Sequence, residues 1–154
     1  MKTKYKNYSL IAREGKTVLG NGEVVEKDDI RIEVLGEMDE LNSLLGMAGV
    51  EIQRENLMKT SSYIAKAIKF DNKYWQKQIE EMEKEIEEIN DKLPRLKSFI
   101  LSQGKLHYCR AVCRRVERRL ITLNRKQKID EGILIYFDRL SDLLFVLARK
   151  YDNI

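Results

Sequence analysis

A single proline among 154 residues, and only eight glycines, exclude a Pro-rich linker chain, a collagen-like repeat and a low-complexity tail. Two cysteines, Cys109 and Cys113, are too few for a disulfide framework or a cysteine metal site. The only histidine, His107, has a different helical azimuth from theirs. The cysteines therefore read as small buried hydrophobes in a reducing compartment, and the histidine as structural. No apolar run reaches the roughly 20 residues of a membrane span, and the start, MKTKYKNYSLIAREGK, has no signal-peptide core. A cytoplasmic protein with no membrane partner is expected. The formal net charge of +4 is too small to demand a polyanion. A nucleic-acid surface would set aromatic residues beside its basic face, and these are largely missing, so no nucleic acid is expected as a partner.

What is present is helical periodicity. The length predicts one domain over 1–154, large enough to bury roughly 70% of its unfolded surface. Val34, Met38, Leu41, Leu45, Ala48 and Ile52 alternate at spacings of four and three, which predicts a core helix over 30–54. Leu57, Ser61, Ile64 and Ile68 predict a second over 56–70. Trp75, Ile79, Met82, Ile86, Ile89 and Leu93 predict a third over 72–92, with Pro94 just past its end. A fourth carries Leu106, Cys109, Cys113, Val116, Leu120 and Leu123. The last runs over 130–151, capped by Asp130, on Ile133, Phe137, Leu140, Leu144, Leu147 and Tyr151. Ahead of these helices the chain from 8 to 29 reads as non-helical. Gly20-Asn-Gly22 between two β-branched runs predicts a hairpin there. The glutamate pairs at 80–81 and 87–88 read as a solvated face.

The fourth helix carries the chemistry. Between 110 and 119 it holds five arginines and no lysine. Arg110, Arg114 and Glu117 share one shoulder of the apolar stripe, and Arg115, Arg118 and Arg119 spread over the opposite face. Permanently charged planar guanidinium groups suit bidentate recognition of phosphate or carboxylate. A soluble face laced by i, i+4 pairs is the bland alternative. Gly15-Lys-Thr17 is no Walker loop, because Leu10 replaces the first glycine and no helix follows the threonine.

HYCRAVCRRVERR at 107–119, preceded by Phe99-Ile-Leu101, resembles the signature of the PduO-type ATP:corrinoid adenosyltransferases. RIEVLGEMDELNSLLG at 31–46 resembles the same family's Gly-x-x-Asp-Glu-Leu-Asn-Ser block, and DRLSDLLFVLAR at 138–149 its closing helix. The resemblance implies an all-α, up-and-down bundle of five helices with a non-helical N-terminal segment. In that division 1–29 forms a nucleotide lid and 30–154 the bundle, assembled as a homotrimer with sites between subunits. It implies transfer of the 5′-deoxyadenosyl group of ATP to cob(I)alamin, with Mg²⁺ carried on the ATP. A relative that binds nucleotide or corrinoid without catalysis is the alternative.

By the same resemblance, Ser9, Gly15, Thr17, Lys27, Arg114, Arg115, Glu117, Arg118 and Asp138 would contact ATP. Phe99 would press on the corrinoid. Asp39 would pair with Arg110 of a neighbouring subunit and shape the site. The N-terminal segment departs from the family pattern Tyr-Thr-Lys-Thr-Gly-Asp-x-Gly-x-Thr. Leu10, Ala12 and Arg13 stand where the family has lysine, glycine and aspartate. Asp138 stands where it has asparagine.

Overall fold

The computed structural model describes residues 11–152. Ile11 to Arg13 are helical, so the stretch expected to be non-helical from 8 to 29 does contain a helical turn ahead of the hairpin. Strands β1 (Lys16–Val18) and β2 (Val24–Glu26) pair antiparallel, with Thr17 opposite Val25. The turn closes through Gly22 N–H on the Leu19 carbonyl at 2.9 Å and Asn21 Oδ1 on the Glu23 N–H at 3.1 Å. The expected hairpin is there.

Helix α1 covers Ile30–Ala48. Asp29 caps it by accepting from the Arg31 N–H at 2.8 Å, which satisfies one of the four orphan donors of a helix start. The expected run to residue 54 does not occur. Gly49 takes a left-handed φ of 76°, and Val50 N–H returns to the Leu45 carbonyl at 2.9 Å, a Schellman stop. Helix α2 (Glu51–Ile64) starts directly afterwards and ends six residues before the expected Phe70. Ile68, expected on its buried stripe, is half exposed as a result.

Helix α3 covers Asn72–Asn90, capped by Asp71 on Tyr74 N–H. Helix α4 covers Gly104–Lys126 and α5 covers Glu131–Asp152. The five run up and down. Glu33 and Glu37 of α1 meet Arg119 and Arg115 of α4, which sets those two antiparallel. Cys113 and Arg110 of α4 meet Phe137 and Phe145 of α5, again antiparallel. Trp75 stacks edge-on to Tyr136 while Arg149 donates to the Pro94 carbonyl, so α3 and α5 run parallel. Helix α5 therefore lies between α3 and α4, and the segment 91–103 must cross over its end.

The core is where the four-three stripes meet. Val34, Met38, Leu41 and Leu45 of α1 close on Val112, Cys113, Val116 and Leu120 of α4 and on Ile133, Tyr136, Phe137, Leu140 and Leu144 of α5. Each such buried side chain stabilises the fold by about 1.5–3 kcal/mol. Tyr151, expected on the last stripe, is exposed, while Asp152 beside it packs back against His107 of α4. Burial pushes both thiols up, so Cys109 and Cys113 behave as apolar groups, as their place on the stripe predicts. No described helix is long and apolar enough to cross a membrane.

The start of α1 gives the fold an acid limit. The Arg31 guanidinium hydrogen-bonded to Asp29 holds that carboxyl down at about 2, against an ordinary 3.8. A carboxyl whose folded value is depressed adds stability above its unfolded value and loses it as pH falls toward the folded one. Asp29, mostly buried, therefore contributes about 2 kcal/mol at neutral pH, lost between about pH 4 and pH 2. Urea melts of Asp29→Asn should show lower stability at pH 7 and a weaker fall across that window than the parent chain. Parallel curves at all pH values would contradict this.

Candidate functional site

The arginines of α4 divide into two sets that the helical wheel alone does not separate. Arg115 and Arg119 turn to α1. Arg115 pairs with Glu40 and lies 3.7 Å from Glu37. Arg119 reaches Glu37 at 3.3 Å and Glu33 at 3.6 Å. Glu33, Glu37 and Glu40 repeat at the same four-three spacing on α1 that puts 115 and 119 one turn apart on α4, so two antiparallel helices bring them into a ladder. Sequence reasoning missed these partners although that acidic spacing was visible.

Arg114 and Arg118 point outward, exposed, and enter none of the ion pairs among the described residues. Arg110 sits between α4 and α5, its guanidinium 4.9 Å from the centre of the Phe145 ring. Its Nε is buried without a partner among the described residues. Glu117, half-buried, lies one turn beyond Cys113 on the same shoulder. Of the three arginines expected on the far face, only Arg118 keeps its guanidinium uncommitted.

From α5, Asp138 projects to the surface and accepts from Arg139, which also reaches Asp142 at 3.2 Å. The hydrogen bond from Asp138 is the largest cause raising Arg139 above its ordinary value, so this cation is fixed. The Asp138 charge is thus half-neutralised by its own neighbour in the chain. It is not presented bare to an anion.

The hairpin gathers its expected residues. Lys27 N–H donates to the Gly15 carbonyl at 2.8 Å, and Lys27 Nζ to the Ala12 carbonyl at 3.2 Å. Gly15 has φ of 74°, a conformation that suits glycine. Thr17 stands on β1 beside them. Ser9, with Tyr8 and Leu10, lies outside the described residues.

Asp39 and Arg110 do not meet within one chain. Asp39 lies on the outward face of α1, with Gly36 and Ser43, while Arg110 faces α5. A Cβ added at Gly36 would meet nothing within 4 Å, so that face is open. At Gly46 the Arg54 guanidinium lies 3.1 Å from such a Cβ, which accounts for that glycine. Phe99 is 105% exposed on the crossing segment and Leu101 92%, two large apolar groups held out in solvent beside the start of α4. The crossing itself is pinned by Arg149 on the Pro94 carbonyl. Single exposed apolar residues are common, but two adjacent and fully exposed ones mark a surface that meets something apolar.

Near that end, His107 is buried with both ring nitrogens unpartnered, 3.7 Å from Asp152 and edge-on to Phe145. No three His, Cys, Asp or Glu side chains converge on a metal-sized site among the described residues.

Residues 12–151 match the cobalamin adenosyltransferase family. A cobalamin adenosyltransferase from Cupriavidus metallidurans is 35% identical over 150 residues, which cover 88% of this chain and 82% of that protein. The corrinoid adenosyltransferase of Bacillus subtilis is 32% identical over 94% of this chain and 85% of its own length. Among solved structures, a variant of the PduO-type adenosyltransferase from Lactobacillus reuteri, complexed with ATP, superposes with a TM-score of 0.75. It is 27% identical, covering 95% of this chain and 94% of that one. Another variant of the same enzyme, complexed with cobalamin and ATP, gives a TM-score of 0.74 at 25% identity, covering 96% and 93%.

Proposed function

This chain belongs to the cobalamin adenosyltransferase family, and from that premise we propose that it transfers the 5′-deoxyadenosyl group of ATP to cob(I)alamin and releases triphosphate. The observation that carries the reading is the split of the α4 arginines. Glutamates of α1 hold Arg115 and Arg119, whereas Arg114 and Arg118 stay outward with no carboxylate among the described residues. Two outward guanidinium groups one turn apart can grip one polyphosphate together.

In the reaction the cobalt(I) electron pair forms the bond to C5′ as the C5′–O bond breaks, and triphosphate leaves with the C5′–O bonding pair. No side chain is needed as nucleophile or general base. The protein supplies alignment and charge. Arg114 and Arg118 hold the leaving triphosphate, with Lys27 and the Gly15–Thr17 strand closing from the hairpin. Mg²⁺ is assigned to the triphosphate itself, since this ion keeps most of its shell as water and phosphate oxygen. Glu117, on the same shoulder of α4 as Arg114, is assigned to the ATP side, and Phe99 with Leu101 offers the apolar contact for the corrin face. The chain is placed in the cytoplasm, a reading supported by its two reduced cysteines.

The assembly is assigned as a homotrimer. The open α1 face around Gly36, Asp39 and Ser43 and the α4–α5 face around Arg110 and Arg114 are different surfaces of one chain. A contact between two different patches is heterologous, and such contacts make a ring where the rotation between neighbours closes, which the homotrimer requires. Asp39 would then reach Arg110 of the next subunit, whose buried Nε has no partner among the described residues.

The test is anaerobic assay of reduced cobalamin with Mg-ATP, followed by the absorbance change of the cobalt–carbon bond. Product above the protein-free control is expected. Because Arg139 already offsets the Asp138 charge, Asp138→Asn should change kcat/KM for ATP by less than about threefold. A fall of tenfold or more would mean instead that the carboxylate itself holds the magnesium. Binding of ATP with no product would favour the non-catalytic relative.

A further inference from the structure

Strands β1 and β2 have three residues each, and an isolated two-stranded hairpin of that size is marginal in water. Its position on the bundle must come from side chains that dock it. At one point Gly20 packs so tightly on the 65–67 turn that an added Cβ would lie 2.7 Å from the Ala67 Cβ. At the other stands Arg31, in the first turn of α1, its side chain 10% exposed. Its Nε and one terminal nitrogen donate to the two Asp29 oxygens at 2.9 and 2.7 Å. The other terminal nitrogen donates to Glu23 Oε1, at the turn end of the hairpin just ahead of β2, at 3.0 Å. The second Glu23 oxygen accepts from Lys66 Nζ at 2.9 Å, out of the α2–α3 connection. One guanidinium thus ties the start of α1, the hairpin and, through Glu23, that connection.

We infer that Arg31 is the positioning residue for ATP, fixing through Asp29 and Glu23 the hairpin that carries Gly15, Thr17 and Lys27. This rests on the proposal that the hairpin closes over the triphosphate. Lys27 is two residues from Asp29 and is joined to Gly15 by its own N–H. The Asp29–Arg31–Glu23 bridge holds it to α1 beside the Gly20 packing and the buried Leu19 and Val25, because a three-residue ladder by itself does not resist rotation of the hairpin about residue 28. Arg31 touches no substrate itself. A lysine cannot replace it, since an ammonium is a point charge and cannot give paired donors to Asp29 and a third to Glu23.

The test is calorimetry of ATP binding and steady-state kinetics on the full chain, with Arg31→Met, Arg31→Lys and Glu23→Gln. Arg31→Met is expected to raise both Kd and KM for ATP about tenfold, to leave KM for corrinoid within about twofold, and to lower kcat at saturating ATP by less than about threefold. Arg31→Lys should recover under half of that loss on a logarithmic scale. Glu23→Gln, which weakens the hairpin tie and leaves the Asp29 cap in place, should raise KM for ATP about threefold with Tm within about 2 °C. It decides the matter if Arg31→Met does not fold. A merely structural Arg31 would lower Tm and the active fraction, reducing kcat at unchanged KM, and that outcome overturns the inference. So does an unchanged KM for ATP in both the Met and the Gln variants of a wild type that binds ATP. A wild type that binds no ATP overturns the adenosyltransferase reading, and this one with it.

Discussion

Replacing Arg114 with alanine is expected to lower kcat/KM for ATP by about 10²- to 10³-fold, while Arg119→Ala changes it by less than about threefold. Arg114 is free of carboxylates among the described residues, so its charge is available to the leaving triphosphate, where charge develops as C5′–O breaks. Removing one donor aimed at such a charge costs about 3–4 kcal/mol in other enzymes. Arg119 is 47% exposed and already engaged with Glu33 and Glu37. Its loss should appear in stability instead, at about 0–1 kcal/mol, as for other surface pairs. The two positions lie five residues, about 1.4 turns, apart on different faces of α4, and each variant removes one positive charge, so net charge is the same in both. Equal losses of activity would mean diffuse attraction of ATP to a basic helix and would reject the assigned roles. Measurement of Kd by calorimetry beside kcat separates binding from the chemical step.

Reversing Asp39 to arginine should convert the assembly to a monomer and remove the activity with it. Light scattering of the parent chain should give three times the 18.2 kDa mass, and the variant one copy of it. Breaking one partner of a buried pair costs about 3–5 kcal/mol, because the remaining charge is stranded, and each ring contains the contact three times. Asp39 is exposed within its own chain, so the substitution should leave the Tm of the isolated subunit nearly unchanged. Adding Arg110→Asp to Asp39→Arg restores opposite charges across the contact and should recover part of the assembly. A parent chain that is monomeric at micromolar concentration would remove this assignment, and so would a double variant no better than the single one.

Helix existence was written into the sequence because it is local. The stripe Val34, Met38, Leu41, Leu45 lies on one side of a helix whatever surrounds it, and all four are buried. Where the reading slipped, a single backbone choice was stronger than the periodicity. Ala48 and Ile52 continue the stripe, but Gly49 accepts a left-handed φ, and the break costs little at a residue with no Cβ. The end of α2 slipped for a similar reason, since Lys66 takes φ of 58° and Gly20 presses on the turn beside it. The hairpin was legible in Gly20-Asn-Gly22, whose residues tolerate the turn.

The identity of the family was also legible, because three blocks of local sequence stand in order along the chain. The fate of each charge was not. A helical wheel shows that Arg115 and Arg119 leave one side of α4 and Arg114 another, yet it cannot show that α1 runs antiparallel alongside with Glu33, Glu37 and Glu40 at the matching spacing. Nothing local marks Arg31, and its bridge to Glu23 closes a gap of eight residues along the chain. The sequence by itself determined the five helices, the core stripe and the supply of guanidinium groups, since those follow from periodicity and residue chemistry. Which arginines are neutralised, which stay free, and which one holds the hairpin were decided only by tertiary structure, because Coulomb and hydrogen-bond energies depend on distances between residues far apart in the chain.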